Sequence, residues 1–178
     1  MNSTTDIKEV ADRFGAVARR FCSVVDAAVS LERRDLLLQI YRILPKLIDE
    51  AVHLPDVELN DNDEQVEKNI SASRRKARQG EQEWGQLYSL LKEKLGDWDL
   101  YRQVFDPTED TEAISGSLAD DLADIYRDIK EGIVLAEMGE APLADVVWTW
   151  RLHFGFHWGK HAMDALLTIH FRLQNSNS

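Results

Sequence analysis

Two histidines and three aspartates carry the chemical interest of this 178-residue chain. His157 and His161 stand four residues apart, about one turn of α-helix, so both imidazoles fall on one helix face. Asp121, Asp124 and Asp128 recur at i, i+3 and i+7, which sets three carboxylates along one edge of a second helix. Imidazole nitrogens with carboxylate oxygens form a donor set for Zn, Mn, Fe or Ni, and bundles build such sites from facing helices. The spacing is looser than His-Glu-x-x-His, and neither helix carries a Glu-x-x-His pair. Three readings stay open. The residues form a buried structural hydrogen-bond network. Or they hold a divalent ion that lowers the pKa of a bound water toward neutrality. Or they make a metal-free pocket in which an aspartate poises His157 or His161 for proton transfer.

The elements that must position these residues are helices. Leu143, Val147, Trp150, Phe154, His157, His161 and Asp164 form one stripe of a helix expected to run unbroken from Pro142 to about Leu173. Its opposite face, with Trp148, Leu152, Gly155, Gly159, Ala162, Leu166 and Ile169, is also apolar, so the helix is expected to be central and buried. Gly155 and Gly159 read as a place where another helix comes close. The preceding helix spans about Ser117–Glu137, with Ser117 as N-cap and Asp120 at the capping-box position. Leu118, Leu122, Ile125, Ile129 and Ile133 face its core. A short connection makes the two helices antiparallel neighbours. Counting equally both ways from Gly139 sets His157 opposite about Asp121, and His153 opposite Asp124 or Ile125.

Nine glycines and four prolines in the whole chain imply few turns and long elements. Ile7, Val10, Ala11, Phe14, Val17, Ala18, Phe21, Val25 and Ala28 keep the helical period. A second helix follows Ser30 as its N-cap, with Leu36, Leu37, Ile40, Leu44 and Leu47 inside and a kink or split expected at Pro45. Residues 54–80 are poor in apolar side chains. Six acids from Asp56 to Glu67 precede Lys68, Arg74, Arg75, Lys76 and Arg78, which reads as a mobile excursion or weak surface helix. Trp84, Leu87, Leu91 and Leu95 then form a short helix ended by Gly96, and a loop through Trp98, Tyr101, Phe105 and Pro107 leads to Ser117. Strand alternation is absent. The expected fold is all-α: a single-domain bundle of five or six helices over residues 1–173, with a buried C-terminal helix and a disordered tail at 174–178.

Charge narrows the function classes. A net charge of −11 disfavours nucleic acid and anionic membranes as partners. Between Asp106 and Asp145 twelve acids meet only Arg127 and Lys130, a balance that suits a cation, a basic protein partner or plain solubility. The single cysteine, Cys22, closes no internal disulfide and reads as a small core residue rather than a nucleophile. No apolar run approaches a membrane span, and the first residues lack the pattern of a signal peptide, so a cytoplasmic location is expected. There is no glycine-rich phosphate loop. Glu64-x-x-Glu67 and Asp121-x-x-Asp124 only distantly mimic the paired acidic segments of all-α nucleotide pyrophosphohydrolases.

Leu118-Ala119-Asp120-Asp121-Leu122-Ala123-Asp124-Ile125-Tyr126-Arg127-Asp128-Ile129-Lys130, then Trp148-x-Trp150-Arg151-x-x-Phe154 and His157-Trp158-Gly159-x-His161-x-x-Asp164-Ala165-Leu166, resembles a bacterial family of unknown function. The resemblance implies a bacterial, single-domain, all-α protein and brings no substrate, cofactor or catalytic residue with it. Function therefore rests on the residues themselves. The first expectation is a non-catalytic binding or interaction domain. The alternative is a small divalent-metal-dependent, hydrolase-like enzyme using Asp121, Asp124, Asp128, His157 and His161. A homodimer is compatible with either on general grounds.

Overall fold

A computed structural model describes residues 4–57, 83–104, 108–110, 112–139 and 141–175. The basic cluster at 68–78 and the Glu64-x-x-Glu67 pair lie outside the described residues, as does all of the 54–80 excursion beyond Val57. Helix α1 (Thr4–Asp26) ends in a tight 3-10 turn, Ala27–Val29, and α2 (Arg33–Val52) follows it. The chain is helical again over 83–95, which is α3. Strands β1 (Leu100–Gln103) and β2 (Ile114–Ser117) pair antiparallel before α4 (Leu118–Met138), α5 (Leu143–His153) and α6 (Gly159–Asn175). Among the described residues the fold is all-α with one small hairpin.

Phe14 and Phe21 of α1, Leu36, Ile40, Leu44 and Leu47 of α2, and Leu122, Ile125 and Ile129 of α4 fill the core, as their helical spacing predicts. Helix α1 packs on α2 and α4, α2 also packs on α6, and α4 is in turn covered by α5 and α6. Trp150 and Trp158 are buried beside Phe14, with ring centroids 4.8 and 6.2 Å from it. Their spacing on the last helix is core mass. Cys22 is likewise a buried free thiol, and burial pushes its pKa up to about 12.

Several local expectations need correction. Helix α2 passes through Pro45 without splitting, because Ile43, Leu44 and Leu47 remain buried on both sides of it. Ser30 is not the N-cap of α2. Its hydroxyl donates to the carbonyl of Ala27 at 2.9 Å, closing the turn after α1, and Glu32 takes the cap position. The segment between α3 and α4 is not simply a loop, since Leu100–Gln103 and Ile114–Ser117 zip together in register. The last helix runs without a gap to Asn175, as expected, but not as regular α-helix throughout. Phe154–Trp158 forms a π-helical turn between α5 and α6, with one residue more than an α-turn would hold.

Gly159 ends that wide turn. A Cβ there would stand 2.3 Å from the carbonyl oxygen of Phe154, so only glycine lets the turn close. The glycine serves its own helix rather than a neighbouring one, and a Cβ at Gly155 would meet nothing within 4 Å. The start of α4 is secured twice. Ser117 caps it as expected, accepting from the Asp120 N–H at 3.3 Å. Asp99, just before β1, accepts from the Ala119 N–H at 2.8 Å and the Ser117 hydroxyl at 2.9 Å. The hairpin and the acidic helix are thereby tied into one unit.

Candidate metal centre

Helix α4 presents Asp121, Asp124 and Asp128 to the meeting line with α6, and all three carboxylates are buried there. Their i, i+3, i+7 spacing keeps them on the edge of the core face that also carries Leu118, Leu122, Ile125 and Ile129. The π-turn and the first turn of α6 bring His157 and His161 over this edge. The rings lie edge to face, 4.9 Å apart between centroids.

Each imidazole rests on its own aspartate. His157 Nδ1 is 2.6 Å from Asp128 Oδ2, and His161 Nδ1 is 2.8 Å from Asp121 Oδ1. A carboxylate only accepts, so in both pairs Nδ1 carries a hydrogen, and in the neutral imidazole Nε2 then keeps a lone pair. Both Nε2 atoms face Asp124 Oδ2, at 3.8 Å from His157 and 3.7 Å from His161. One ligand atom from each of Asp124, His157 and His161 falls in a cluster with no pair more than 4.8 Å apart.

The other carboxylate oxygens are occupied. Asp124 Oδ1 takes the Trp84 indole N–H at 3.2 Å and Arg127 Nη2 at 2.9 Å. Asp128 Oδ1 takes Arg127 Nε at 3.4 Å, and Asp121 Oδ2 takes the Tyr101 hydroxyl at 2.7 Å. Three atoms remain that make none of these contacts, and they converge: Asp124 Oδ2 and the two Nε2 nitrogens. The seam is also open, because the His157 side chain keeps 39% of its surface in solvent. Beside it, Asp164 accepts from Lys160 at 2.5 Å and from Gln103 of β1 at 2.7 Å.

Electrostatics follow from the pairing. The hydrogen bond that His161 donates to Asp121 raises the pKa of His161, although burial works against it. Burial pushes the Asp121 carboxyl up, and the hydrogen bonds from His161 and Tyr101 pull it part of the way back. The Tyr101 hydroxyl is raised, first by burial and then by the Asp121 charge. Asp120 is only half-buried and is raised by desolvation and by Asp124. It stands outside the cluster, as its place on the helix wheel predicts.

All five residues singled out in the sequence come together, but one turn away from the expected register. His161, not His157, sits on Asp121, while His157 pairs with Asp128 and His153 lies 3.9 Å from Glu131. Counting equally in both directions from Gly139 neglected the residues between Met138 and Leu143, which belong to neither helix. Sequence reasoning also missed Trp84, Tyr101 and Arg127. Trp84 and Tyr101 reach the cluster from α3 and β1, and nothing in their spacing relates them to α4. Arg127 lies inside the acidic motif, where its place between Asp124 and Asp128 was a usable signal.

Fold and seam together define a small helical-bundle protein with a two-histidine, three-aspartate cluster where its acidic helix meets its last one. The chain belongs to the family described as Domain of unknown function (DUF5063), whose model matches residues 5–174. Among solved structures it is similar to the crystal structure of protein BF1032 from Bacteroides fragilis. The TM-score is 0.69 at 24% identity over 89% of this chain and 88% of that one, a likeness of fold. No curated protein matches the sequence.

Proposed function

We propose that Asp124, His157 and His161 bind one divalent transition-metal ion, with Asp121 and Asp128 holding the imidazoles from behind, and that the ion activates water for hydrolysis. One observation carries this reading: Asp124 Oδ2 and the two Nε2 atoms lie within 4.8 Å of one another, and in the neutral imidazoles all three present lone pairs. A cation resolves that arrangement. Four-coordinate bonds of about 2.0–2.2 Å set ligand atoms roughly 3.3–3.5 Å apart; the two imidazole–Asp124 separations are 3.8 and 3.7 Å, and all three ligand atoms lie within 4.8 Å of one another, so the imidazoles draw together as they close onto an ion.

The backing carboxylates support the same reading. Metal-bound histidines characteristically donate the other ring N–H to a carboxylate, which fixes the tautomer and raises ligand basicity. Two nitrogens and one oxygen suit Zn, Mn, Fe or Ni. Three protein ligands leave at least one position for water or substrate, as catalytic rather than structural sites do. The exposure of His157 gives that position a path to solvent. Arg127 takes the far oxygens of Asp124 and Asp128 and offsets part of the acidic charge without covering the converging atoms.

A structural network is the second reading, favoured by how completely the outer oxygens are satisfied. Elemental analysis separates the two. Protein purified without a histidine tag or chelator is expected to carry close to one equivalent of transition metal, and the His157→Ala, His161→Ala double variant close to none. Wild-type protein free of metal, and not thermally stabilised when Mn, Zn or Ni is added back, would refute the metal centre. No helix among the described residues is long and apolar enough to cross a membrane. A cytoplasmic setting is part of the proposal and rests on the lone, buried cysteine.

A further inference from the structure

We infer that the exposed face of α6 is a homodimer interface, on which a second copy of this chain packs its own α6 antiparallel across a two-fold axis passing between Met163 and Leu167. The observation is a row of large apolar side chains in water. Phe156 is 85% exposed, Met163 53%, Leu167 60% and Phe171 57%. Met163, Leu167 and Phe171 recur at i, i+4 and i+8, so they form one ridge along α6, and Phe156 extends it into the π-turn. The opposite face, with Trp158, Ala162, Ala165, Ile169 and Leu173, is already committed to the core. Scattered exposed apolar residues need no explanation, but four in a row on one helix do.

Size and charge both point to a second copy. At about 150–250 Å² for a large side chain, the exposed fractions leave on the order of 450 Å² of apolar surface per copy. Two copies then bury about 900 Å² of apolar area, and a polar rim brings the total into the roughly 1,200–2,000 Å² range of stable interfaces. The chain as a whole carries −11, which sets most of its surfaces against self-association. This face is different: from Phe154 to Asn175 the formally charged side chains are Lys160, Asp164 and Arg172, a local balance of +1. An isologous contact is self-complementary by symmetry. With the axis between Met163 and Leu167, each Met163 packs on the partner subunit's Leu167, and no two like charges are placed opposite each other.

Sedimentation equilibrium of the full chain tests this. The wild type is expected to sediment at twice 20.4 kDa in the micromolar range. Leu167→Glu sets a carboxylate against an apolar side chain on both sides of the axis and is expected to give monomers with unchanged helicity, since Leu167 is largely exposed. Adding Met163→Lys sets a lysine opposite each new glutamate and is expected to restore the dimer. Val52→Glu, on an exposed site of α2, leaves it intact. A wild type that stays monomeric at 100 µM and above, or a dimer indifferent to Leu167→Glu, overturns the proposal. Metal content is independent of this result, because none of these variants touches Asp124, His157 or His161.

Discussion

Asp128→Asn isolates the role of the backing carboxylates. In the native protein the Asp128 charge accepts the His157 Nδ1 hydrogen at 2.6 Å, and in the neutral ring this makes Nε2 the lone-pair nitrogen that faces Asp124. Asparagine has nearly the same volume, but its amide can offer N–H to Nδ1. That reverses the tautomer, puts the hydrogen on Nε2 and points it at the ion's position. Losing such a backing group typically costs 10–100-fold in metal affinity, about 1.4–2.7 kcal/mol. The folded protein itself should suffer less. A charge-assisted hydrogen bond is worth about 1.5–3 kcal/mol when buried, but solvent screening at the 39%-exposed His157 reduces this to about 1 kcal/mol. For a chain of this length that corresponds to a fall in Tm of about 2–4 °C. Competition against a chromophoric chelator for Zn or Mn measures the affinity, and a thermal melt of the metal-free protein measures the stability. A lowered Tm with unchanged metal affinity would refute the reasoning, because His157 would then be paired for stability alone.

Other perturbations have equally definite outcomes. A Cβ at Gly132 would lie 2.1 Å from Trp150 Nε1, which donates to the Ile129 carbonyl at 3.1 Å; Gly132→Ala should therefore cost about 2–4 kcal/mol in chemical denaturation, and an unchanged midpoint contradicts that packing. Gly159→Ala should convert the π-turn to α-geometry, shifting the phase of α6 against α5 by about one residue, or about 100°, so that His157 and His161 can no longer both rest on Asp128 and Asp121 and metal uptake is lost while circular dichroism still reports a helical protein. The Cys22 thiol, raised to about 12 by burial, should be inert to a disulfide reagent at pH 8 except at the rate of unfolding. Its folded-state pKa lies above the ordinary value of 9.0, so the stability it contributes is complete below pH 9 and is lost as pH climbs toward 12. A Cys22→Ala variant should lack that part of the alkaline loss.

The helices were readable because burial repeats at three and four along α1, α2 and α4, and the five site residues were readable because chemistry is carried by residue type. What escaped was geometry set by single residues or by distant ones. The π-turn inserts one residue between two stretches that are each helical, and the apolar stripe through Trp150 and Phe154 hides the change of phase. The hairpin strands are four residues long, and in the burial of Leu100–Gln103 only the inward Tyr101 and Gln103 mark a side. Their meaning comes from Asp121 and Asp164, many residues later. Register failed for a plainer reason. The residues joining Met138 to Leu143 take up chain without adding to either helix, and that moved His161 into the place expected for His157.

Anomalous diffraction from crystals grown with Zn or Mn, recorded at the metal edge, addresses the metal centre most directly. The account predicts one peak between α4 and α6, about 2.0–2.2 Å from Asp124 Oδ2, His157 Nε2 and His161 Nε2, with Asp121 and Asp128 still on the Nδ1 atoms. No peak at this position, or an ion held by the Asp121 and Asp128 oxygens with the imidazoles turned away, would contradict it.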